Sequence, residues 1–239
     1  MNPRSEHLGR VSGPRILLVA SENDALPGAK AGGVGDVVRD VPRELSRRGC
    51  SVTVVTPSYG HLALLPGAIH RSTVRVSFRG VRRAVRILEV QGRTTHQGVR
   101  HLVLDHEFFS PHGIGKIYCH DADAPFATDA SKFAFFSAAA AHGAVAGAFG
   151  ELDVLHLNDW HTGYLPALCE SDPGLGPLRE LRTVFTIHNL ALQGQRPSDG
   201  DESSWAAWFP RLGPPPPALR DPHQPELVNP MAAGIRLAD

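Results

Sequence analysis

The fold is decided by the stretch Ala29-Lys30-Ala31-Gly32-Gly33-Val34-Gly35-Asp36-Val37-Val38. It follows a short apolar run, Ile16–Ala20, and leads into a segment whose apolar residues recur at helical spacing. That apolar stripe consists of Val34, Val37, Val38, Val41 and Leu45. The sequence therefore predicts a strand, a glycine-rich loop and a helix, in that order.

The start of this predicted helix has the features of an anion site. The first N–H groups of a helix have no partner within it, and the helix dipole is positive at that end. Gly32, Gly33 and Gly35 allow a phosphate to approach the backbone closely, and Lys30 adds a positive charge. Equally, the glycines can simply form a tight turn beside a solvated lysine, and the stretch alone leaves both interpretations open. It is neither the dinucleotide pattern G-x-G-x-x-G nor a P-loop.

The composition is that of a soluble globular protein. The chain has 239 residues, of which 42% are hydrophobic and 20% charged, and its formal net charge is zero. This balance gives no support to nucleic-acid binding or to a membrane-surface role, and no apolar run approaches the roughly 20 residues of a membrane span. The three cysteines are scattered and form no paired motif, which favours a reducing cytoplasm.

The rest of the chain predicts an α/β fold. Residues 1–14 are interpreted as a leader, and residues 15–239 as one domain. The predicted strands are 16–20, 51–56, 101–105, 153–157 and 183–187, with an antiparallel hairpin between Ser72 and Val90 that turns at Arg79-Gly80. The predicted helices are 33–48, 129–149, one ending near Cys169, and 229–238. Together these predict a Rossmann-like, mostly parallel sheet with helices on both faces plus an antiparallel hairpin.

Polar clusters directly follow three of the predicted strands, at residues 21–36, 158–163 and 188–189. In an open α/β sheet, ligands bind outside the carboxyl ends of the strands where the strand order reverses. Asp159, His161, His188 and Asn189 suit a hydroxyl-rich partner, and Trp160 offers it an apolar face.

Each of these residues also has a structural interpretation. Asp159 can cap the following helix, Trp160 can belong to the core, and His156 is interpreted as a core histidine. A zinc site from His156, His161 and His188 lacks the usual ligand spacing, and no metal is expected. Nucleophilic hydrolysis is not favoured, because no Gly-x-Ser-x-Gly elbow occurs.

Several stretches closely resemble bacterial glycogen synthases and plant starch synthases, the ADP-glucose-dependent retaining glucosyltransferases of glycosyltransferase family 5. They are Ser21-Glu22, residues 30–38, residues 156–163 (His-Leu-Asn-Asp-Trp-His-Thr-Gly), residues 184–194 (Val-Phe-Thr-Ile-His-Asn-Leu-Ala-Leu-Gln-Gly) and residues 229–239. Their order and spacing run from about residue 15 to the last residue.

This resemblance implies a GT-B fold, in which two Rossmann-like domains face each other across a cleft. It implies a glycosyltransferase that moves glucose from ADP-glucose to the non-reducing end of an α-1,4-glucan, with retention and without a cofactor or metal. The 239 residues correspond to the N-terminal, acceptor-side domain only, and the C-terminal nucleotide-binding domain is absent from them. We therefore expect this chain alone to be inactive.

The resemblance also implies roles for individual residues. Lys30, Gly32, Gly33 and Gly35 correspond to the donor-phosphate site. Asp36, Trp160, His161 and Asn189 correspond to the glucose and acceptor side, and His188 and Asp159 to catalysis. In the family, a Tyr followed by Asp-Asn often precedes the buried helix, whereas this chain has Ala127-Thr128-Asp129-Ala130, which places the acceptor contacts in question.

Two other functions remain open at this point. One is a non-catalytic glucan- or nucleotide-binding half-domain. The other is a GT-B transferase that uses another nucleotide sugar, such as a relative of sucrose synthase.

Overall fold

The computed structural model describes residues 13–93 and 98–239. Most of the predicted leader, residues 1–12, lies outside the described residues. Its last two residues run beside the sheet: the N–H of Gly13 donates to the carbonyl of Gly49, and the carbonyl of Pro14 accepts from the N–H of Ser51, both at 3.1 Å.

Seven strands form one sheet in the order β3-β4-β5-β2-β1-β6-β7. The strands are β1 (Arg15–Val19), β2 (Ser51–Pro57), β3 (Ile69–Phe78), β4 (Val81–Val90), β5 (Val99–Asp105), β6 (Val154–Asn158) and β7 (Arg182–Thr186). Neighbours from β5 through β7 are parallel. Because β2 and β6 flank β1 on opposite sides, the strand order reverses between β1 and β6.

The antiparallel hairpin is confirmed and extends the main sheet, since β3 pairs with β4 and β4 pairs antiparallel with β5. Its turn is the predicted one. Arg79 and Gly80 have φ of 52° and 72°, the positive values that a two-residue hairpin turn of type I′ requires.

Helices cover both faces of the sheet, as predicted. They are α1 (Gly33–Arg47), α2 (Ala127–Val145), α3 (Tyr164–Ser171), α4 (Trp205–Trp208) and α5 (Pro230–Leu237). Alternate residues of β1 divide between the faces: Ile16 and Leu18 pack with Val38 of α1, whereas Leu17 and Val19 belong to the larger cluster that contains α2.

Helix α2 is apolar on every side and deeply buried, as its sequence predicted. Its predicted end at residue 149 was four residues too late. The helix ends at Val145 and is followed by Ala146 as C-cap and by Gly147, whose φ is 72°. Phe149 then returns to the core, where it packs against Gly143.

The C-terminal region packs against the sheet as a cap. Trp205, Trp208 and Phe209 are buried as expected, and a two-stranded ladder joins β8 (Arg196–Pro197) to β9 (Leu227–Val228). Helix α5 begins at Pro230, one residue after the predicted start, and Asn229 is its N-cap, whose side-chain oxygen accepts from the N–H of Ala232. No helix within the described residues is both long and apolar enough to cross a membrane.

Candidate active-site cleft

A cleft of about 960 Å³ opens at the carboxyl ends of β1 and β6, where the strand order reverses. This is the place at which an open α/β sheet binds its ligands. Seven of the ten predicted site residues line it: Gly32, Gly33, Asp159, Trp160, His161, His188 and Asn189. Lys30, Gly35 and Asp36 lie beside it and do not line it.

The carboxylate of Glu22 occupies the beginning of the glycine loop, which we define as residues 31–35. One of its oxygens accepts from the N–H groups of Ala31 and Gly32, at 2.7 and 2.6 Å. The other accepts from the hydroxyl of Tyr118 at 2.8 Å. The stretch alone left open whether this loop is an anion site; two of its amides are bonded to an anion that the chain itself supplies.

Lys30 is also engaged. Its Nζ lies 2.7 Å from both carboxylate oxygens of Asp36, and this hydrogen bond is the largest reason why the pKa of Asp36 is lowered. The resemblance assigned Lys30 to the donor phosphate and Asp36 to the glucose and acceptor side; the structure joins them as an ion pair at the side of the loop. Both side chains are partly exposed, so the pair can open at low cost.

Asp159 organises the loop that follows β7. It is 2% exposed and has φ of 57°, a sparsely populated conformation for a residue with a side chain. Its carboxylate accepts from the N–H groups of His188 and Asn189 at 2.7 and 3.3 Å and makes no cap bond to the helical turn after it. Burial raises its pKa and these two N–H groups oppose the rise. The capping interpretation is therefore wrong.

His188 points toward the end of β6, where its Nε2 lies 3.0 Å from the side-chain oxygen of Asn158. His156, on the strand itself, pairs with the hydroxyl of Thr186 at 2.7 Å, which confirms the core interpretation. Burial and then the nearby His188 lower the pKa of His156 to about 4.

His161 stands in an aromatic box. Tyr118 stacks on it with ring centroids 5.1 Å apart, Trp160 lies at 4.3 Å, and Phe133 meets it edge-on at 4.6 Å. Burial, then Lys132 and His188, lower the pKa of His161 to about 3, so the imidazole is neutral at physiological pH. Its Nδ1 is buried with no hydrogen-bond partner among the described residues.

Trp160 is only 3% exposed, and packs on Phe126 and Phe133. The core interpretation of this residue is confirmed, although Trp160 also lines the cleft.

Sequence reasoning missed the residues that hold Tyr118 in place. Lys132 is fully buried on α2, pairs with Asp129 at 2.7 Å and donates to the carbonyl of Ile117. Asp129 in turn accepts from the N–H of Cys119 at 3.0 Å. The ion pair thus fixes the backbone on both sides of Tyr118. No periodic pattern marks residues 106–128, so only the isolated charges of Asp129 and Lys132 within an apolar helix offered a signal.

The cleft suits a neutral, hydroxyl-rich ligand. Among the described residues that line it, none is Lys or Arg, whereas Glu22, Asp121, Asp129 and Asp159 are acidic. Carboxylates, a neutral imidazole and aromatic faces together bind sugar hydroxyls and ring faces well. Within the described residues, no group of three or more His, Cys, Asp or Glu side chains is arranged to hold a metal ion.

The family is decided by comparison with known proteins. A sequence profile described as the starch synthase catalytic domain matches residues 15–239. The chain belongs to the starch synthase catalytic domain family. The described fold is accordingly the N-terminal half of a GT-B fold, as the resemblance implied.

Members of this family from bacteria are similar to the chain over most of its length. A glycogen synthase of Anaeromyxobacter sp. (strain Fw109-5) is 38% identical over 186 residues, which are 75% of this chain and 35% of that protein. A glycogen synthase of Ralstonia nicotianae is 33% identical over 237 residues, 94% of this chain and 38% of that protein. The chain thus spans little more than a third of the length of these relatives.

A solved structure of the family superimposes on the chain. The catalytic domain of starch synthase IV from Arabidopsis thaliana, bound to ADP and acarbose, matches with a TM-score of 0.71 and 25% identity. The match covers 95% of this chain and 44% of that one.

Proposed function

We propose that this chain is the acceptor-side half of a glycogen or starch synthase that transfers glucose from ADP-glucose to the non-reducing end of an α-1,4-glucan, with retention. The observation that carries the proposal is the cleft at the strand-order reversal, where Asp159, His161, His188 and Asn189 converge. Membership of the starch synthase family, and the ADP and acarbose bound by the Arabidopsis relative, support the donor and the acceptor class.

The residues of this half suit positioning of the sugar. The Asp159 carboxylate holds the His188–Asn189 backbone rigid, which fixes the two side chains that face a bound glucosyl unit. In glucosyl transfer, holding donor and acceptor in reacting geometry supplies a large share of the rate enhancement. We assign His188 to direct contact with the sugar at the reacting end, and Asp159 to its placement.

The leaving diphosphate needs more positive charge than this half provides. Stabilisation of the developing charge by cationic groups and N–H donors is usually the largest contribution to the rate enhancement. Here Lys30 is paired with Asp36, and two loop amides are bonded to Glu22. The remaining donors therefore come from a facing nucleotide-binding domain, which the 239 residues do not include.

A chimera tests this proposal. The chain is fused to the C-terminal half of the Ralstonia nicotianae glycogen synthase, its 33% identical relative, and glucose transfer to glycogen is measured with ADP-, UDP- and GDP-glucose. We expect transfer from ADP-glucose, and loss of at least about a hundredfold in kcat for His188→Ala.

The other outcomes of this experiment are equally informative. A folded chimera that prefers UDP- or GDP-glucose would support the transferase that uses another nucleotide sugar. A folded chimera that binds maltooligosaccharide without transfer from any donor would support the non-catalytic binding module.

A further inference from the structure

We propose that Glu22 is a positioning residue that permanently fills the first anion position of the glycine loop, so that a bound diphosphate uses only the later amides and Lys30. The inference deepens the proposed function and rests on it for the nature of the ligand. The observation behind the inference does not depend on that function: the buried Glu22 carboxylate accepts hydrogen bonds from the loop amides.

The contacts of Glu22 are those of an anion bound in a backbone nest. Two successive N–H groups, those of Ala31 and Gly32, converge on one of its oxygens at 2.7 and 2.6 Å. Successive amides in a turn form a concavity that binds anions. Since Glu22 is 1% exposed and also accepts from Tyr118 at 2.8 Å, it is held from three directions.

The neighbouring glycines show where an outside anion fits. A Cβ on Gly35 would lie 3.2 Å from the Glu22 carboxylate and 3.0 Å from Cγ of Lys30, so Gly35 is needed for the chain's own packing. A Cβ on Gly33 would meet nothing within 4 Å, and Gly33 lines the cleft. Open space therefore lies over Gly33, and Val34 beside it also lines the cleft. The N–H groups of both residues lie in the first turn of α1 and have no partner within the helix.

This arrangement has two consequences. The negative charge of Glu22 excludes a phosphate from Ala31 and Gly32, and so sets the depth at which the diphosphate binds. The same carboxylate joins the loop to Tyr118, which stacks on His161. The phosphate end and the sugar end of the cleft are thereby held at a fixed separation.

The experiment uses inorganic pyrophosphate and backbone amide spectra of the 239-residue chain. In the unliganded wild type, we expect the amide protons of Ala31 and Gly32 to resonate downfield, because both donate to the Glu22 carboxylate. On adding pyrophosphate, the signals of Gly33 and Val34 should move while those of Ala31 and Gly32 stay in place.

Three variants separate the contributions of charge and contact. Glu22→Gln keeps the shape and removes the charge, so pyrophosphate should bind about tenfold or more tightly and should now shift the Ala31 and Gly32 signals. Tyr118→Phe retains the Glu22 carboxylate but removes its hydrogen bond to the sugar side of the cleft. Pyrophosphate should therefore still move the signals of Gly33 and Val34 and leave those of Ala31 and Gly32 in place. Glu44→Gln removes an exposed carboxyl elsewhere on α1 and is the matched control. It should change neither the affinity for pyrophosphate nor the set of signals that move.

Two results would overturn the inference. In one, pyrophosphate moves the Ala31 and Gly32 signals of the wild type as much as those of Glu22→Gln, which would mean that Glu22 simply leaves when an anion arrives. In the other, pyrophosphate binds neither the wild type nor Glu22→Gln, which would mean that the loop amides are no anion site even without the charge of Glu22. Both results leave the glucosyltransferase proposal standing, because the chimera assay tests that separately.

Discussion

Lys30 has two possible anionic partners, the carboxylate that it contacts and the phosphate that the family resemblance assigns to it. In the chain it contacts Asp36. Binding a diphosphate therefore requires Lys30 to exchange one charge-assisted contact for another, and Asp36 holds the ammonium group near the loop until then.

Substitution of Lys30 tests this exchange. In a synthase that contains this half and a nucleotide-binding domain, Lys30→Ala should lower kcat/KM by about tenfold or more, through loss of a charge-assisted phosphate contact. In the isolated chain the same variant should raise the pKa of Asp36, which carboxyl chemical shifts report. Wild-type kinetics together with an altered Asp36 pKa would mean that Lys30 pairs with Asp36 but does not contact the phosphate.

His156 makes the free energy of unfolding depend on pH below neutrality. Its pKa is about 4 in the folded protein and about 6.5 in an unfolded chain. As the pH falls below 6.5, the unfolded chain binds a proton that the folded protein does not, so the free energy of unfolding decreases until the pH passes 4. At pH 5 the loss from this residue is about 1–2 kcal/mol.

Urea unfolding at pH 7 and pH 5 measures this effect, because most carboxylates stay ionised over that range. We expect His156→Gln to lose less stability between the two pH values than the wild type. His223→Gln, an exposed loop substitution, is the control. Equal losses in the wild type and His156→Gln would contradict the assignment.

At the scale of a single element, α2 carries a buried ion pair in an otherwise apolar helix. Lys132→Met should lower the free energy of unfolding by about 3–5 kcal/mol, because it leaves the Asp129 carboxylate buried without its cation. The double variant Lys132→Met, Asp129→Asn should recover a large part of this loss, since the amide oxygen still accepts from Cys119. Chemical denaturation checks both values, and a single variant within about 1 kcal/mol of wild type would refute the argument.

The contact between α5 and the start of α3 depends on a glycine. A Cβ on Gly163 would lie 2.0 Å from the carbonyl oxygen of Pro230, and backbone cannot give way as a side chain can. Gly163→Ala should destabilise the protein by at least about 2 kcal/mol and displace α5. Gly33→Ala is the matched control, because its Cβ meets nothing within 4 Å. Similar thermal midpoints for both variants would contradict this packing argument.

Periodicity predicted those elements whose residues carry the signal locally. The alternation in β3 and β4 gave the hairpin, and the helical stripe after Gly33 gave α1. The end of α2 was missed because alanine continues past Val145 and the turn depends on Gly147, one glycine among several. Ladder β8–β9 was not predicted, since strands of two residues are too short to show a period.

The site was predictable in outline for the same reason. Polar residues after apolar strands predicted a candidate site at one edge of the sheet, and Asp159, His161 and His188 do meet there. Contacts between residues that are far apart in the chain left no signal in the sequence. Nothing near Glu22 indicates that its carboxylate turns back to Ala31, or that Tyr118, from an aperiodic stretch, stacks on His161.

At the scale of the whole molecule, the proposed function makes this chain one wall of a cleft between two domains. We expect the purified 239-residue chain to transfer no measurable glucose from ADP-glucose to glycogen, because the diphosphate remains solvated on one side and its cationic donors are too few. A radiolabelled transfer assay checks this. Activity above the no-enzyme blank would show that one half assembles a complete site.

The pairing of β1 with β6 also governs when the cleft can form during synthesis. Leu17 and Leu155 are register partners, so one edge of β1 waits for more than a hundred further residues, on the order of ten seconds at ribosomal speed. Throughout that interval an apolar strand edge lies open on the nascent chain, a form prone to association with other chains. The same topology that places the cleft at the centre of the sheet delays its formation until β6 has emerged, and makes a holding chaperone most useful between the emergence of β2 and that of β6.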